Sequence, residues 1–306
     1  MGFLENLTIK GGEAFDGGGI FIEPGLPGTP PTIPATPGGA VILSHVNVIA
    51  NEAYNQGGGI FNAGTLTVDG SSISENLAGS RGGGVNNTGT TSYLNTTISS
   101  NVTVSRGGGL FNENSATSTL INVSLIGNRS SSRGGGLASE SNSSTRIGNS
   151  ILERNMVETK VAISNASIAR EMFGAVISLG FNTLQVLDSK YATGTAAGLL
   201  TSDRFGRDTT PTSVALTDFT NTLQYGLGNG VGFHSLKPGA GAVDAGSNAL
   251  YPRTPINLDQ DAIGNPRLID GTADGVHVID LGAVEYLVNT PSANFVATPN
   301  PAGLNE

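Results

Sequence analysis

A triplet of glycines followed by an aliphatic residue constrains this chain more than any other feature. It occurs at Gly17–Ile20, Gly57–Ile60, Gly82–Val85, Gly107–Leu110 and Gly134–Leu137. The last four copies are 25, 25 and 27 residues apart. The first gap is 40 residues and contains a Pro-rich insertion at 24–37, without which it approaches the common length. Other positions keep the same register. Asn51, Asn76, Asn101, Asn128 and Asn155 form one column, with Gly12 in the equivalent place upstream. Three residues before each stand Ile9, Val48, Ile73, Ile98, Leu125 and Leu152. Eight residues before stand Leu4, Leu43, Val68, Tyr93, Leu120 and Ile147.

Internal repeats of this length indicate a solenoid. Mostly period-two patterning with Gly-rich breaks predicts three short strands per coil, not a pair of helices. The expected fold is an all-β, single-stranded, right-handed parallel β-helix with a C-terminal cap. A β-sandwich would not hold residue-level register over five repeats. Coils of this kind stack at about 4.8 Å, and each depends on its neighbours to bury its apolar face. Asn at a recurring turn is expected to tolerate left-handed backbone and to build an amide ladder. Glycine permits a sharp turn where a Cβ would clash. With 45 Gly and 14 Pro the chain could pass for a disordered one, but 37% hydrophobic residues allow a core.

Three regions follow. Residues 1–157 read as regular coils. Residues 158–286 read as irregular coils, a long loop and a closure, and 287–306 as a linker or tail. Within the second region, Ile163–Phe173 could hold a short helix or a distorted coil. Residues 177–184 read as a coil strand, and 186–230 as a Thr-rich loop over the coils. Residues 231–286 read as short strands and turns that cap the C-terminal end, where an open coil would otherwise expose its edge. The start, MGFLENLTIKGG, lacks the basic and apolar segments of a signal peptide. No apolar run reaches the roughly 18 residues of a membrane span. The chain therefore reads as a piece of something longer, without its export signal. A net charge of −9 argues against nucleic acid as partner, and the absence of cysteine excludes disulfides and thiolate metal sites.

GGGIFN (57–62) and GGGLFN (107–112), each preceded by Asn and five residues, resemble the repeats of chlamydial polymorphic outer-membrane proteins. ISLGFNTL (177–184), HSLKPGAGAVDAGSN (234–248) and GNPRLIDGTADGVHVIDLGAVEY (264–286) are similar to the choice-of-anchor Q family of bacterial right-handed β-helix surface proteins. The resemblance implies a pectin lyase-like fold and an extracellular or outer-membrane-associated location. It also implies closure of the solenoid by Asp280, Gly282, Ala283 and Glu285. It implies no particular activity.

Several constellations could carry chemistry. Arg81, Arg106 and Arg133 each precede a Gly triplet and should stack on consecutive coils, with Gln56 in the same slot before them. They could dock an acidic glycan through guanidinium–carboxylate pairs, or simply pair with nearby acids. Glu113 and Glu140 should also stack, near the roughly 5 Å carboxylate separation of retaining glycosidases. The competing expectation is salt bridging to Arg106 and Arg133. No Trp is present to form a sugar platform. Lyase chemistry is disfavoured, because the coils contain only Asp16 and Asp69. Asp270, Asp274 and Asp280 are weak calcium candidates, with Asp-Gly turns as the plainer reading. Thr65/Thr67, Thr90/Ser92 and Thr117/Thr119 form outward columns too short for an ice-binding array, and Arg146 interrupts them. His45, His234 and His277 show no nucleophile or metal pattern. The functional expectation is a non-enzymatic surface scaffold or adhesin, its side face binding extracellular polysaccharide or other surface components. The alternatives are a polysaccharide-active enzyme and a passive spacer.

Overall fold

The structure is a computed structural model. It describes residues 1–26, 38–158, 172–174, 176–184, 200, 202–205, 220–225, 230–251 and 260–287. The short helix or distorted coil expected at 163–173, apart from Met172–Phe173, which form a strand, most of the Pro-rich insertion, most of the Thr-rich loop and nearly all of the tail lie outside these residues.

Three parallel sheets wrap one core, forming an all-β solenoid with no helix among the described residues. The first sheet contains 13 strands and the other two contain six each. A typical coil contributes Thr65–Asp69 and Ser72–Ser74 to the first sheet, Leu77–Ala78 to the second and Val85–Asn87 to the third. Two coils run the first-sheet segments together as Thr90–Ser99 and Thr117–Ile126. Val176–Gly180 and Thr183–Leu184 extend that sheet, as the sequence pattern predicts for 177–184.

The register matches the sequence columns residue by residue. Leu4, Leu43, Val68, Tyr93, Leu120 and Ile147 are successive ladder partners. So are Ile9, Val48, Ile73, Ile98, Leu125 and Leu152. Most of both columns is fully buried in a single apolar cluster. Each buried Leu or Ile contributes about 1.5–3 kcal/mol relative to exposure.

The Asn column is a continuous buried ladder. Asn51, Asn76, Asn101 and Asn128 each donate a side-chain N–H to the Oδ1 of the next Asn at 2.9–3.0 Å. Each backbone N–H donates to the same oxygen. The second side-chain N–H goes to the carbonyl of Ile9, Val48, Ile73 or Ile98. The left-handed backbone expected at these Asn residues falls one residue earlier, on Gly11, Ala50, Glu75, Ser100, Gly127 and Arg154. That residue absorbs the turn, leaving the amide free to point along the solenoid axis. A second ladder joins Asn62, Asn87 and Asn112 beside the third sheet.

The Gly triplets mark where coils approach most closely. Gly82 has φ +61°, and a Cβ on Gly83 would lie 2.5 Å from both Gly108 O and Val102 O. Both obstacles are backbone and cannot swing aside. Gly83→Ala should therefore cost about 2–3 kcal/mol, measured as a drop in the urea midpoint. An unchanged midpoint would show that the coils have slack at this corner.

Residues 231–286 read from the sequence as the C-terminal cap. Their described parts, together with 220–225, make hydrogen bonds along the flank of the solenoid. Ser72, Ser74, Thr97, Ser99 and Ser124 point away from the core, yet all are at most 2% exposed because this segment covers them. Gly232 N–H donates to Asn47 Oδ1, and Asn95 Nδ2–H donates to Gln260 O. Ala283 N–H donates to Ser124 Oγ, and Ser247 N–H donates to Asn149 Oδ1. Small polar side chains leave a shallow trough with one hydrogen-bonding partner per coil, which suits a turn-rich strap better than a regular strand.

Candidate functional site: the outward face of the third sheet

On the third sheet Ile20, Ile60, Val85, Leu110, Leu137 and Met172 stack in register, all but the partly buried Ile20 being buried. The residue after each points outward by strand alternation. This outward column reads Phe21, Phe61, Asn86, Phe111, Ala138 and Phe173; its middle members Asn86, Phe111 and Ala138 are buried, and ring surface is open at Phe21, Phe61 and Phe173. Phe21 and Phe61 stack with centroids 5.0 Å apart and planes 7° apart, and Phe21 is 48% exposed. The absence of Trp therefore does not leave the face without aromatic rings. The signal in the sequence was the Phe following the aliphatic residue in three of the five Gly-triplet repeats.

Beside the rings run the arginines. Gln56, Arg81, Arg106 and Arg133 are successive bridge partners, the expected stack. Arg81 Cζ lies 5.3 Å from the Phe111 centroid, and Arg133 Cζ lies 4.6 Å from that of Phe173. Arg81 Nη1 is 3.6 Å from Glu113 Oε1, and Arg106 Nη1 is 2.6 Å from Glu140 Oε1. The pairing is thus shifted by one coil from the expected Glu113–Arg106 and Glu140–Arg133. Each Arg reaches to the next coil, where Arg81 also finds a ring face. Arg133 has no carboxylate partner among the described residues.

A second constellation was not foreseen. Under the strap, Arg267 is 1% exposed and donates to Glu285 Oε1 at 2.6 Å, to Gly282 O and to Asn95 Oδ1. Burial pushes the Glu285 carboxyl up to about 8 against the pull of Arg267, with Asp280 adding to the rise. Burial likewise raises Asp280 and Asp69 to about 6. The cluster is sealed by the strap, so these displacements belong to docking of the segment. Asp280 and Glu285, singled out by the closure motif, do meet: Asp280 N–H donates to the Glu285 carboxyl.

Comparison with protein-family models, curated proteins and solved structures finds no match.

The remaining candidates are not brought together. Asp270 accepts the backbone N–H groups of Asp274 and Gly275, closing its own turn. Asp280 is buried and accepts from Asp244 N–H and Tyr286 N–H. Among the described residues no three acidic or His side chains converge as a metal site. The Thr columns face outward, and Thr117 donates to Thr90 at 3.1 Å. His234 does have a Ser partner. Its Nε2 is 2.7 Å from Ser99 Oγ, and its Nδ1 is 2.8 Å from Asn221 O. The order resembles an activated nucleophile, but Ser99 is 0% exposed beneath the strap. Burial pulls this imidazole down to about 4, so it acts as a neutral clamp. No helix among the described residues is long and apolar enough to cross a membrane.

Proposed function

We propose that this chain is a non-enzymatic, adhesin-like scaffold of the cell surface or exterior. Its third-sheet face docks glycan chains lying along the solenoid axis. The observation that carries the reading is the stacked, accessible Phe21–Phe61 pair on the same sheet face as the Arg column. Rings offer apolar faces to sugars, and guanidiniums offer planar donors. The finer likeness to choice-of-anchor Q and polymorphic outer-membrane proteins is part of this proposal. It rests on the Gly-triplet motifs and on the closure residues Asp280, Gly282, Ala283 and Glu285.

The enzyme reading has less support, because each candidate carboxylate is engaged by an Arg of the preceding coil. Release of reducing sugar from acidic polysaccharides, lost in Glu113→Gln and Glu140→Gln, would reinstate it. A glycan array tests the scaffold reading. The wild type should retain a subset of glycans, and Phe61→Ala should lose them. Uniform silence of the wild type would leave only a passive spacer.

A further inference from the structure

We propose that Arg133 and Phe173 form a carboxylate-binding subsite for a uronic-acid polysaccharide, a refinement that rests on the docking role of the same face. Three coils present variants of one arrangement. Arg81 has both a ring, Phe111, and a carboxylate, Glu113. Arg106 has the carboxylate Glu140, while the residue in the ring position is Ala138. Arg133 has the ring and, among the described residues, no carboxylate. The sequence has Ala175 two residues after Phe173, where Glu113 follows Phe111 at the same interval.

A guanidinium stacked on a ring uses its face and keeps its edge N–H donors. Those donors match a carboxylate in bidentate fashion. Arg133 is also exposed, whereas Arg81 and Arg106 are partly covered. An incoming carboxylate would reproduce around Arg133 what Glu113 does for Arg81. Farther along the same sheet, beyond the buried Ala138, Phe111 and Asn86, the rings of Phe61 and Phe21 offer neutral, accessible surface suited to the sugar rings of the same chain.

The test is affinity electrophoresis of the full chain in polygalacturonate, with fully methyl-esterified polygalacturonate and dextran sulfate as comparison arms. The wild type should bind the free acid and lose binding on esterification. Arg133→Gln should weaken binding by about tenfold or more, as expected for a charge-assisted bond, and Arg133→Lys should recover only part. Arg106→Gln, whose guanidinium is already held by Glu140, should change it by less than about threefold. If Arg133→Gln binds like the wild type while Phe61→Ala is weakened, the subsite is wrong and the docking face stands. Tighter binding of dextran sulfate than polygalacturonate would overturn the carboxylate assignment. No binding of any of these polymers, together with a silent array, would remove both.

Discussion

Arg267→Ala should destabilise the protein by about 3–5 kcal/mol, the scale for removing one partner of a buried, hydrogen-bonded Arg–carboxyl pair. The guanidinium joins strap to coil, bonding Glu285 and Gly282 on one side and Asn95 on the other. Its loss takes a charged donor from three buried acceptors, leaving the Glu285 carboxyl with Asp280 N–H and Asn95 Oδ1 with Asn122 Nδ2–H. Arg267→Met with Glu285→Gln should recover part of the loss, because the uncompensated carboxyl is removed. Urea midpoints of the three variants form the check. A loss below about 1 kcal/mol for Arg267→Ala would mean that the strap is held elsewhere.

The same cluster sets a pH dependence. Glu285 titrates near 8 in the folded chain, well above an ordinary Glu. The folded state therefore holds more protons than the unfolded state between about pH 4.5 and about pH 8. The contribution is complete below that window and is lost as pH rises through 8. Asp280 and Asp69 act in the same direction up to about 6. His234, displaced downward, opposes them between about 6.5 and about 4. Above about pH 6.5 the carboxyl dominates, so the urea midpoint should fall between about pH 6.5 and about pH 8.5. Glu285→Gln should flatten that slope; a slope that persists unchanged in this variant would assign it to another group.

Asn101→Ala should cost a similar amount, about 3–5 kcal/mol. It removes the acceptor of both Asn76 N–H groups and the donor to Ile73 O in a buried column. Each orphaned buried group costs roughly 1–3 kcal/mol. Asn101→Asp keeps the shape but sets an acceptor against Asn128 Oδ1 and Ile73 O, so it should rescue little. Thermal midpoints test this, and stability near wild type in either variant would show the ladder to be decoration.

The coils were legible because stacking repeats one environment at every level. An aliphatic residue at Val68 and a Leu at Leu120 answer to the same buried slot, so the column shows through one sequence. The Asn ladder was legible for the same reason, although its left-handed residue was placed one position late. The aromatic face was half legible. Its Phe residues stand in register, but their outward direction requires the strand alternation to be known at the third sheet.

The ion pairs and the strap were not legible. A long Arg side chain can reach a Glu on its own coil or on the next, and only the ring of Phe111 and the local geometry choose. The strap meets the coils through contacts 66 to 185 residues apart, such as Arg154 with Thr220, Ser247 with Asn149 and Gly232 with Asn47. Neither partner carries a periodic signal, and Ser72, Ser99 and Ser124 look like solvated strand residues until something lies over them. The sequence by itself determined the solenoid, its register and its core, because those are local rules repeated every coil. Tertiary structure alone decided which outward residues are sealed and which arginine is left with a free edge, because those outcomes depend on non-repeating, long-range packing.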